Sequence, residues 1–414
     1  MAIALVNADE EQFYFHGIEN ESTNRPVDQD TPFEIGSITK VFTATLLGKF
    51  AHEGRVDLDS PAQSALPDGV SLPKNATDEI TFRQLSNHRS GLKRLPSNLG
   101  LSKDTLENPY ASYTTDQLYE YLNSQTSNRR LGAVEAYSNL GTGLLGHLLG
   151  RIDQSDFATA LRTHILGPLG LSSTAVELPA ELHKRLAQPH ESKGKKTSPW
   201  DFQDATVAAG GLKSTLRDMT AFLKANLKPN TNSTGEAIAL THQPSVHDIK
   251  NRPMGWTDFF LPLLFVALAI FGIWYFQLEA KQTVLIPAVG FAPLFSVFFC
   301  RWWSVLIASV SIISFCVFYF GDAFQPILIS VVCLFWVHIS FQMESKRRST
   351  SKGHLAWQTM PIGEYESLWH NGMVGGSASF IGFVPAQKKG VVILTNVSLE
   401  VDSLGQLLLL ELTH

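Results

Sequence analysis

Four long apolar stretches, which follow one another between residues 259 and 343, constrain the fold of this chain more than any other feature. They run over residues 259–276, 283–299, 302–320 and 324–343, and each approaches the length of about 20 residues that a helix needs to cross a bilayer. Tryptophans lie near their ends, as is typical of membrane interfaces: Trp256, Trp274, Trp302 and Trp303. We therefore predict an insertion of four transmembrane helices over residues 257–343, with a buried helical core as the alternative.

The flanks of this block bear on its orientation. An even number of spans returns the chain to the side it left, so residues 1–250 and 353–414 are predicted to share one compartment. Lys250 and Arg252 precede the block and three basic residues follow it at 346–348, so the positive-inside rule favours the cytoplasm. The N-terminus agrees, since residues 1–17 lack the basic start and apolar run of a signal peptide. The other interpretation is that the true start lies upstream of Met1.

Composition excludes two classes of site. The formal net charge is −5, which provides no basic surface for nucleic acid. All three cysteines, Cys300, Cys316 and Cys333, fall inside the apolar block. The polar parts therefore have neither a disulfide framework nor a cysteine-based metal site.

The polar parts have the patterns of a mixed α/β chain. Alternating apolar residues predict strands over residues 3–7, 12–16, 354–359, 366–370, 378–384 and 390–396. Helical spacing predicts helices over residues 37–53, 115–124, 140–151, 157–165, 216–227 and 404–412, with a short helix within 80–92. The two ends of the chain are thus expected to share one antiparallel sheet, while residues 230–250 and 344–352 are interpreted as linkers.

The first chemical motif is Ser-x-x-Lys at Ser37-Ile38-Thr39-Lys40. A serine hydroxyl needs a base to become a good nucleophile, and a lysine one helical turn later lies on the same face. Burial near the positive end of a helix would drive that amine toward its neutral form. An ordinary helix N-cap is the alternative interpretation of Ser37. Two further matches, at residues 192–195 and 349–352, lie in charged tracts and are interpreted as solvated linker.

Two more motifs follow in order. Tyr137-Ser138-Asn139 precedes a glycine-rich helix, where a phenol and an amide could assist a neighbouring lysine. His370-Asn371-Gly372 ends a predicted strand, and the glycine permits close approach of a substrate backbone. The alternatives are a packing tyrosine and a strand-end histidine. Competing matches at residues 121–123 and 52–54 fall within or at the end of predicted helices.

The order and contexts of these motifs resemble the serine β-lactamase and penicillin-binding protein family, in its class C β-lactamase, DD-peptidase and esterase branch. The supporting segments are FEIGSITK at 33–40, ITFRQL at 80–85, SGL at 90–92, GPLGL at 167–171, AGGL at 209–212 and VVILTN at 391–396. The resemblance covers nearly all of residues 1–245 and 354–414. It implies an α/β (α+β) fold with an antiparallel sheet flanked by helices and an all-helical lobe, and places the polar domain outside the cytoplasm, against the charge rule.

The resemblance also implies a role for each motif residue. Ser37 would form an acyl-enzyme, with Lys40 and Tyr137 as the activating bases. Asn139 would orient the substrate amide, and His370 and Gly372 would bind substrate, with His370 binding a carboxylate or tuning Tyr137. The oxyanion hole would be the backbone N–H groups of Ser37 and Met373. No metal or organic cofactor is implied.

Three functions are compatible with these features. The first is a membrane-anchored serine hydrolase that cleaves an amide or ester bond in a small-molecule or peptide substrate, with the bilayer as partner and with helices that anchor the domain or deliver a lipid-linked substrate. The second is a membrane sensor or regulator that binds or is acylated by a ligand without turnover. The third is a transporter-like protein, which the near absence of charged residues in the apolar block disfavours. The sequence does not indicate an oligomeric state.

Overall fold

The computed structural model describes residues 1–7, 10–74, 79–100, 107–125, 135–245 and 354–413. The chain divides into two compact units, one of residues 1–247 with 352–414 and one of residues 248–351. The predicted transmembrane insertion over residues 257–343 lies outside the described ranges. Within those ranges, no helix combines the length and the apolar character that a crossing of the bilayer requires.

A six-stranded antiparallel sheet joins the two ends of the chain, as predicted. Its spatial order is β2-β1-β8-β7-β6-β5, so the N-terminal hairpin pairs with the last strand, with Ala2 opposite Leu394. The strands are β1 (Ala2–Asn7), β2 (Glu10–Phe15), β5 (Gln358–Ile362), β6 (Tyr365–Met373), β7 (Ala378–Val384) and β8 (Lys389–Thr395). A separate two-stranded sheet pairs β3 (Pro32–Glu34) with β4 (Lys213–Thr215).

The central strands β7 and β8 are buried on both faces, which explains their nearly continuous apolar sequence. Alternate residues point to opposite faces of the sheet. Phe380 and Ile393 pack with Leu409 of the C-terminal helix, whereas Ile381 and Val392 belong to the larger core on the other face. The sheet is therefore covered by helices on both sides.

Ten α-helices complete the described part of the chain. They are α1 (Thr39–His52), α2 (Phe82–Ser86), α3 (Thr115–Ser124), α4 (Asn139–Ile152), α5 (Phe157–Leu161), α6 (Ala180–His183), α7 (Asp204–Val207), α8 (Leu216–Leu227), α9 (Ser233–Thr241) and α10 (Asp402–Thr413). Helices α2 to α7 lie between β3 and β4 in the chain and α4 is buried along most of its length. Short 3₁₀ helices span Gly36–Ile38 and Ala62–Ala65, and a π-helical turn continues α5 over Arg162–Leu166.

The structure corrects several predicted bounds. The strand expected over residues 354–359 begins only at Gln358, and the helix expected to start at Ser37 starts at Thr39. Residues 230–250 were expected to be linker, yet α9 lies there. Asn232 caps this helix through a 2.8 Å bond from the Gly235 N–H. Helix α9 packs so closely on α1 that a Cβ at Gly48 would lie 2.7 Å from the Ala237 carbonyl oxygen.

Candidate active site

Ser37 lies on a 3₁₀ turn between β3 and α1, not on the α-helix itself. The turn needs glycine before the serine, because Gly36 has φ +50°. The Ile35 N–H donates to the Leu212 carbonyl oxygen at 3.1 Å, which ties the turn to the segment before β4. Lys40 then falls in the first turn of α1, so the predicted three-residue spacing places its amine beside the Ser37 hydroxyl.

Lys40 is completely buried and its amine has three oxygen neighbours. Its Nζ lies 3.2 Å from Ser37 Oγ, 2.9 Å from Asn139 Oδ1 and 2.5 Å from the carbonyl oxygen of Ala209. Burial, with a smaller contribution from the charge of Arg94, holds the pKa of Lys40 well below its ordinary value. In the neutral form that burial favours, the amine has two N–H donors, enough for the two carbonyl oxygens. The lone pair of that form is left to accept from the Ser37 hydroxyl.

Tyr137 and Asn139 are placed by the beginning of α4. Ser138 caps this helix, and its Oγ accepts from the Gly141 N–H at 2.8 Å. The Tyr137 ring centroid lies 4.8 Å from Lys40 Nζ. Burial raises the pKa of Tyr137 to about 12, although its hydrogen bond with Ser37 acts in the opposite direction. The phenol is therefore protonated at neutral pH.

The end of β6 approaches the Ser37 turn through Gly372 and Met373. A side chain at Gly372 would collide with the Ile35 carbonyl oxygen, which also accepts from Ser379 Oγ at 2.8 Å. A Cβ at Gly36 would lie 2.8 Å from the Met373 backbone nitrogen. This backbone contact brings the two predicted oxyanion-hole donors to adjacent parts of one site.

His370 is fully buried on β6, with its ring centroid 6.5 Å from that of Tyr137. Its Nδ1 lies 2.6 Å from the carbonyl oxygen of Asn371, so Nδ1 carries the proton and donates. Nε2 is consequently an acceptor, and it has no hydrogen-bond partner among the described residues. Burial lowers the pKa of His370 to about 3, so the ring is neutral. A neutral acceptor suits the predicted tuning of Tyr137 better than the predicted binding of a carboxylate.

Sequence reasoning missed four residues around this cluster: Glu34, His88, Arg94 and Tyr110. The His88 ring is tilted by 42° against the Tyr137 ring, with centroids 4.4 Å apart, and Arg94 lies 5.0 Å from the same tyrosine ring. The Tyr110 hydroxyl accepts from Asn139 Nδ2 at 2.9 Å. His88 and Arg94 flank the SGL segment at 90–92, which is the only sequence signal that could have indicated them. Tyr110 comes from a loop with no motif.

Glu34 lies under the site at the end of β3 and is 3% exposed. It accepts from the Trp200 N–H at 2.7 Å and from Ser377 Oγ at 3.4 Å. Burial raises the pKa of Glu34 to about 7, although these hydrogen bonds and Lys213 act against burial. The carboxyl thus joins β3 to the loop at residue 200 and to the turn between β6 and β7.

The competing motif matches lie elsewhere. Tyr121 is 2% exposed within the core packing of α3, and residues 52–54 form the exposed end of α1. Residues 192–195 are exposed, with Lys195 paired to Glu191 at 3.2 Å. The match at 349–352 falls outside the described ranges.

Comparison with known proteins decides the family. The model of the β-lactamase family matches residues 1–259, which is more than half of the chain. This chain belongs to the β-lactamase family. The resemblance inferred from the three motifs is thereby confirmed.

Individual members of the β-lactamase family share about a quarter to a third of their residues with this chain. A β-lactamase from Providencia stuartii is 29% identical over 245 residues, which are 58% of this chain and 59% of that protein. A β-lactamase from Pseudomonas fluorescens is 28% identical over 65% of this chain and 72% of its own length. The D-alanyl-D-alanine-carboxypeptidase/endopeptidase AmpH from Escherichia coli is 26% identical over 54% and 56%, respectively. Several relatives are thus matched over little more than half of their length.

Solved structures share the fold of the described part of the chain. A β-lactamase/D-alanine carboxypeptidase from Pseudomonas syringae superposes with a TM-score of 0.63 at 18% identity, covering 100% of this chain and 91% of its own. A class C β-lactamase from Rhodobacter sphaeroides gives a TM-score of 0.59 at 20% identity, covering 98% and 91%. The predicted fold class of a helix-flanked antiparallel sheet is therefore confirmed for the described part of the chain.

Proposed function

We propose that this β-lactamase family member is a serine hydrolase that cleaves an amide or ester bond through an acyl-enzyme on Ser37. The observation that carries the proposal is the environment of Lys40. Its buried amine lies 3.2 Å from Ser37 Oγ, and two carbonyl oxygens occupy its N–H donors. A buried neutral amine directed at a serine hydroxyl is a general base in position.

In the proposed acylation, the Ser37 proton passes to Lys40 and the leaving group receives its proton from Tyr137. Lys40 takes the proton of the Ser37 hydroxyl as Oγ forms its bond to the substrate carbonyl carbon. The Tyr137 phenol, protonated because its pKa is raised to about 12, donates to the leaving nitrogen or oxygen as the scissile bond breaks. The Lys40 ammonium then reprotonates the phenolate. Water then attacks the acyl carbon while Lys40 takes its proton, the bond from that carbon to Ser37 Oγ breaks, and the Tyr137 phenol protonates Oγ. The acid product leaves, and the Lys40 ammonium again reprotonates the phenolate.

The negative charge of the tetrahedral intermediate would be held by the backbone N–H groups of Ser37 and Met373. The close packing of Gly36 against the Met373 nitrogen supports this assignment. Donors fixed in this way typically contribute about 3–4 kcal/mol to transition-state stabilisation. The Asn139 amide, held between Lys40 and Tyr110, would orient the substrate.

Two relatives support a proposal for the substrate class. One is a β-lactamase from Providencia stuartii and the other is a D-alanyl-D-alanine-carboxypeptidase/endopeptidase from Escherichia coli. We propose a β-lactam, a D-alanyl peptide or a related ester as the substrate of this chain.

Labelling with a fluorescent penicillin and a fluorescent fluorophosphonate tests the nucleophile. The parent should be labelled and the Ser37→Ala variant should not. Ser192→Ala is the matched control, because Ser192 opens the exposed Ser-x-x-Lys match and should label like the parent. Penicillin label that decays with time indicates turnover, whereas label that persists would favour the sensor interpretation. Labelling that survives Ser37→Ala would refute the assignment.

We further propose that residues 257–343 anchor the hydrolase in a membrane. The support is the apolar sequence of these residues. Full-length protein should remain with membranes through a carbonate wash and be released by detergent. A variant with residues 258–343 replaced by a short linker should be recovered without detergent. Release of the full-length chain by carbonate alone would refute the anchor.

A further inference from the structure

Arg94 places an exposed positive charge beside the reacting groups. Its guanidinium carbon lies 5.0 Å from the centroid of the Tyr137 ring, and Lys40 Nζ lies 4.8 Å from the same centroid. Lys40 is fully buried, whereas Arg94 is exposed to solvent. An entering substrate can therefore meet the charge of the exposed Arg94, whereas the Lys40 amine is buried.

The main chain of Arg94 is fixed to the Tyr-x-Asn motif. Its carbonyl oxygen accepts from the Asn139 N–H at 3.0 Å and from the Leu140 N–H at 3.2 Å. The neighbouring Lys93 carbonyl accepts from Ser138 Oγ at 2.7 Å. These bonds hold residues 93 and 94 against the first turn of α4, so the guanidinium extends from a fixed point.

The guanidinium of Arg94 has no acidic partner in the described part of the chain. Among the residues that the structure describes, no carboxylate is ion-paired or hydrogen-bonded with Arg94 or with Lys40. The charge of Arg94 instead acts on its neighbours, where it contributes to the lowered pKa of Lys40 and His88 and opposes the raised pKa of Tyr137. Because no described carboxylate pairs with it, the exposed guanidinium beside the Tyr137 ring is suited to bind an anion.

The third motif does not provide this charge. Its histidine, His370, is fully buried and neutral. Among the described residues, its Nε2 is an acceptor without a hydrogen-bond partner. A substrate carboxylate therefore needs another cation. Arginine provides it in the planar, two-pronged form that matches a carboxylate.

We propose that Arg94 binds a carboxylate group of the substrate and makes the site selective for anionic amides or esters. The proposal rests on the hydrolase function proposed above, because it specifies the substrate of that same site. It assigns the anion contact to the loop between α2 and α3, beside the Tyr137 ring, and not to β6.

The test measures binding without turnover, in protein that carries Ser37→Ala. Isothermal titration compares N-acetyl-D-alanyl-D-alanine with its C-terminal amide, two probes that differ in one negative charge. The free carboxylate should bind at least about tenfold more tightly, since a hydrogen bond to a charged group is worth that factor or more. Arg94→Gln should abolish this preference, and Arg94→Lys should retain part of it.

Lys93→Gln is the matched control, because it removes the same charge from the adjacent exposed residue and should keep the preference. A preference for the free carboxylate that survives Arg94→Gln would overturn the proposal. Equal affinities of the parent for the two probes would also overturn it, and so would the absence of binding of either probe. An equal loss of affinity for both probes in Arg94→Gln would also overturn it, because Arg94 would then maintain the shape of the site without discriminating between charged and neutral ligands. Since the protein tested has no Ser37 hydroxyl, the outcome is separate from that of the labelling experiment.

Discussion

Lys40 and Lys49 are two largely buried lysines on the same helix. Substitutions at the two positions therefore distinguish the loss of a catalytic contact from the loss of a buried lysine. Lys40 contacts Ser37, whereas Lys49 donates to Ser233 Oγ at 2.7 Å on the α9 side. We expect Lys40→Met to lower the rate of acylation by about 10²–10⁴, the usual contribution of a general base. Lys49→Met should leave that rate within a few-fold of the parent. Stopped-flow acylation by a chromogenic cephalosporin measures both; equal losses would show that burial, not the Ser37 contact, matters.

Tyr110 is expected to act as a positioning residue through Asn139. Tyr110→Phe keeps the stacking on Phe202, whose ring centroid lies 4.8 Å away, but removes the hydroxyl that accepts from Asn139. An unpaired buried amide N–H costs about 1–3 kcal/mol and leaves Asn139 free to turn away from Lys40. Acylation should slow about tenfold. The control is Tyr113→Phe, because that hydroxyl bonds to Asn98 and not to the site; a Tyr110→Phe enzyme with parental rates and pH profile would contradict the role.

Glu34 gives a prediction about pH. Its pKa is raised from 4.5 to about 7 in the folded protein, so folding takes up a proton between these values. Its favourable contribution to stability is therefore complete below about pH 4.5 and is lost as pH rises to about 7. Relative to the parent, Glu34→Gln should gain up to about 3 kcal/mol in unfolding free energy between pH 4.5 and pH 8.

Urea unfolding at these two pH values measures the change. Glu236→Gln, which removes an exposed carboxyl on α9, is the matched control for the loss of one negative charge. A Glu34→Gln difference that stays constant with pH would mean that Glu34 does not titrate in this range.

At the scale of elements, the site depends on the contact between the end of β6 and the Ser37 turn. Gly372→Ala inserts a methyl group against the Ile35 carbonyl oxygen. Overpacking of this kind costs about 1–3 kcal/mol. The displaced Met373 N–H should lower acylation by about 10²–10³, as for the loss of one oxyanion-hole donor.

Thermal unfolding and acylation rates together test this contact. Gly167→Ala is a comparison substitution at a residue outside the candidate site, where a Cβ would meet only the Arg162 carbonyl oxygen at 3.1 Å. A folded Gly372→Ala variant with parental acylation would show that the packing of β6 does not position the donor.

The elements also show what sequence could and could not predict. The spacing of Ser37 and Lys40 survives in the structure, because three residues correspond to one turn whether the turn is 3₁₀ or α. Helix α9 was missed because its partner, Gly48 of α1, lies far away in the chain. Tyr110 and Arg94 were missed for a similar reason, since their loops are brought to Asn139 and Tyr137 only by tertiary packing.

At the scale of the whole molecule, the described β-lactamase-family unit is built from two separated parts of the chain. Trp357 Nε1 donates to Thr241 Oγ1 at 3.2 Å, so the chain returns close to the point at which it left. We expect a variant with residues 248–351 replaced by ten glycine and serine residues to fold, because such a linker spans about 17 Å.

This variant should keep the Tm of the parent within a few degrees and retain Ser37-dependent labelling. Differential scanning fluorimetry and fluorophosphonate labelling are the measurements. A parallel variant that also carries Ser37→Ala should unfold at the same temperature but remain unlabelled. An aggregated product would instead favour the buried-core interpretation of residues 257–343, which the sequence alone left open.

The Trp357–Thr241 contact has a consequence for chain entropy. Because the sheet and helices hold the end of α9 close to the residue that precedes β5, the connection between them closes a loop, and the entropy of loop closure grows only with the logarithm of loop length. Each doubling of a flexible loop costs about 0.6 kcal/mol. Segments of very different length could therefore be inserted at this position at a similar entropic cost. Their insertion or deletion would not require a change of strand register.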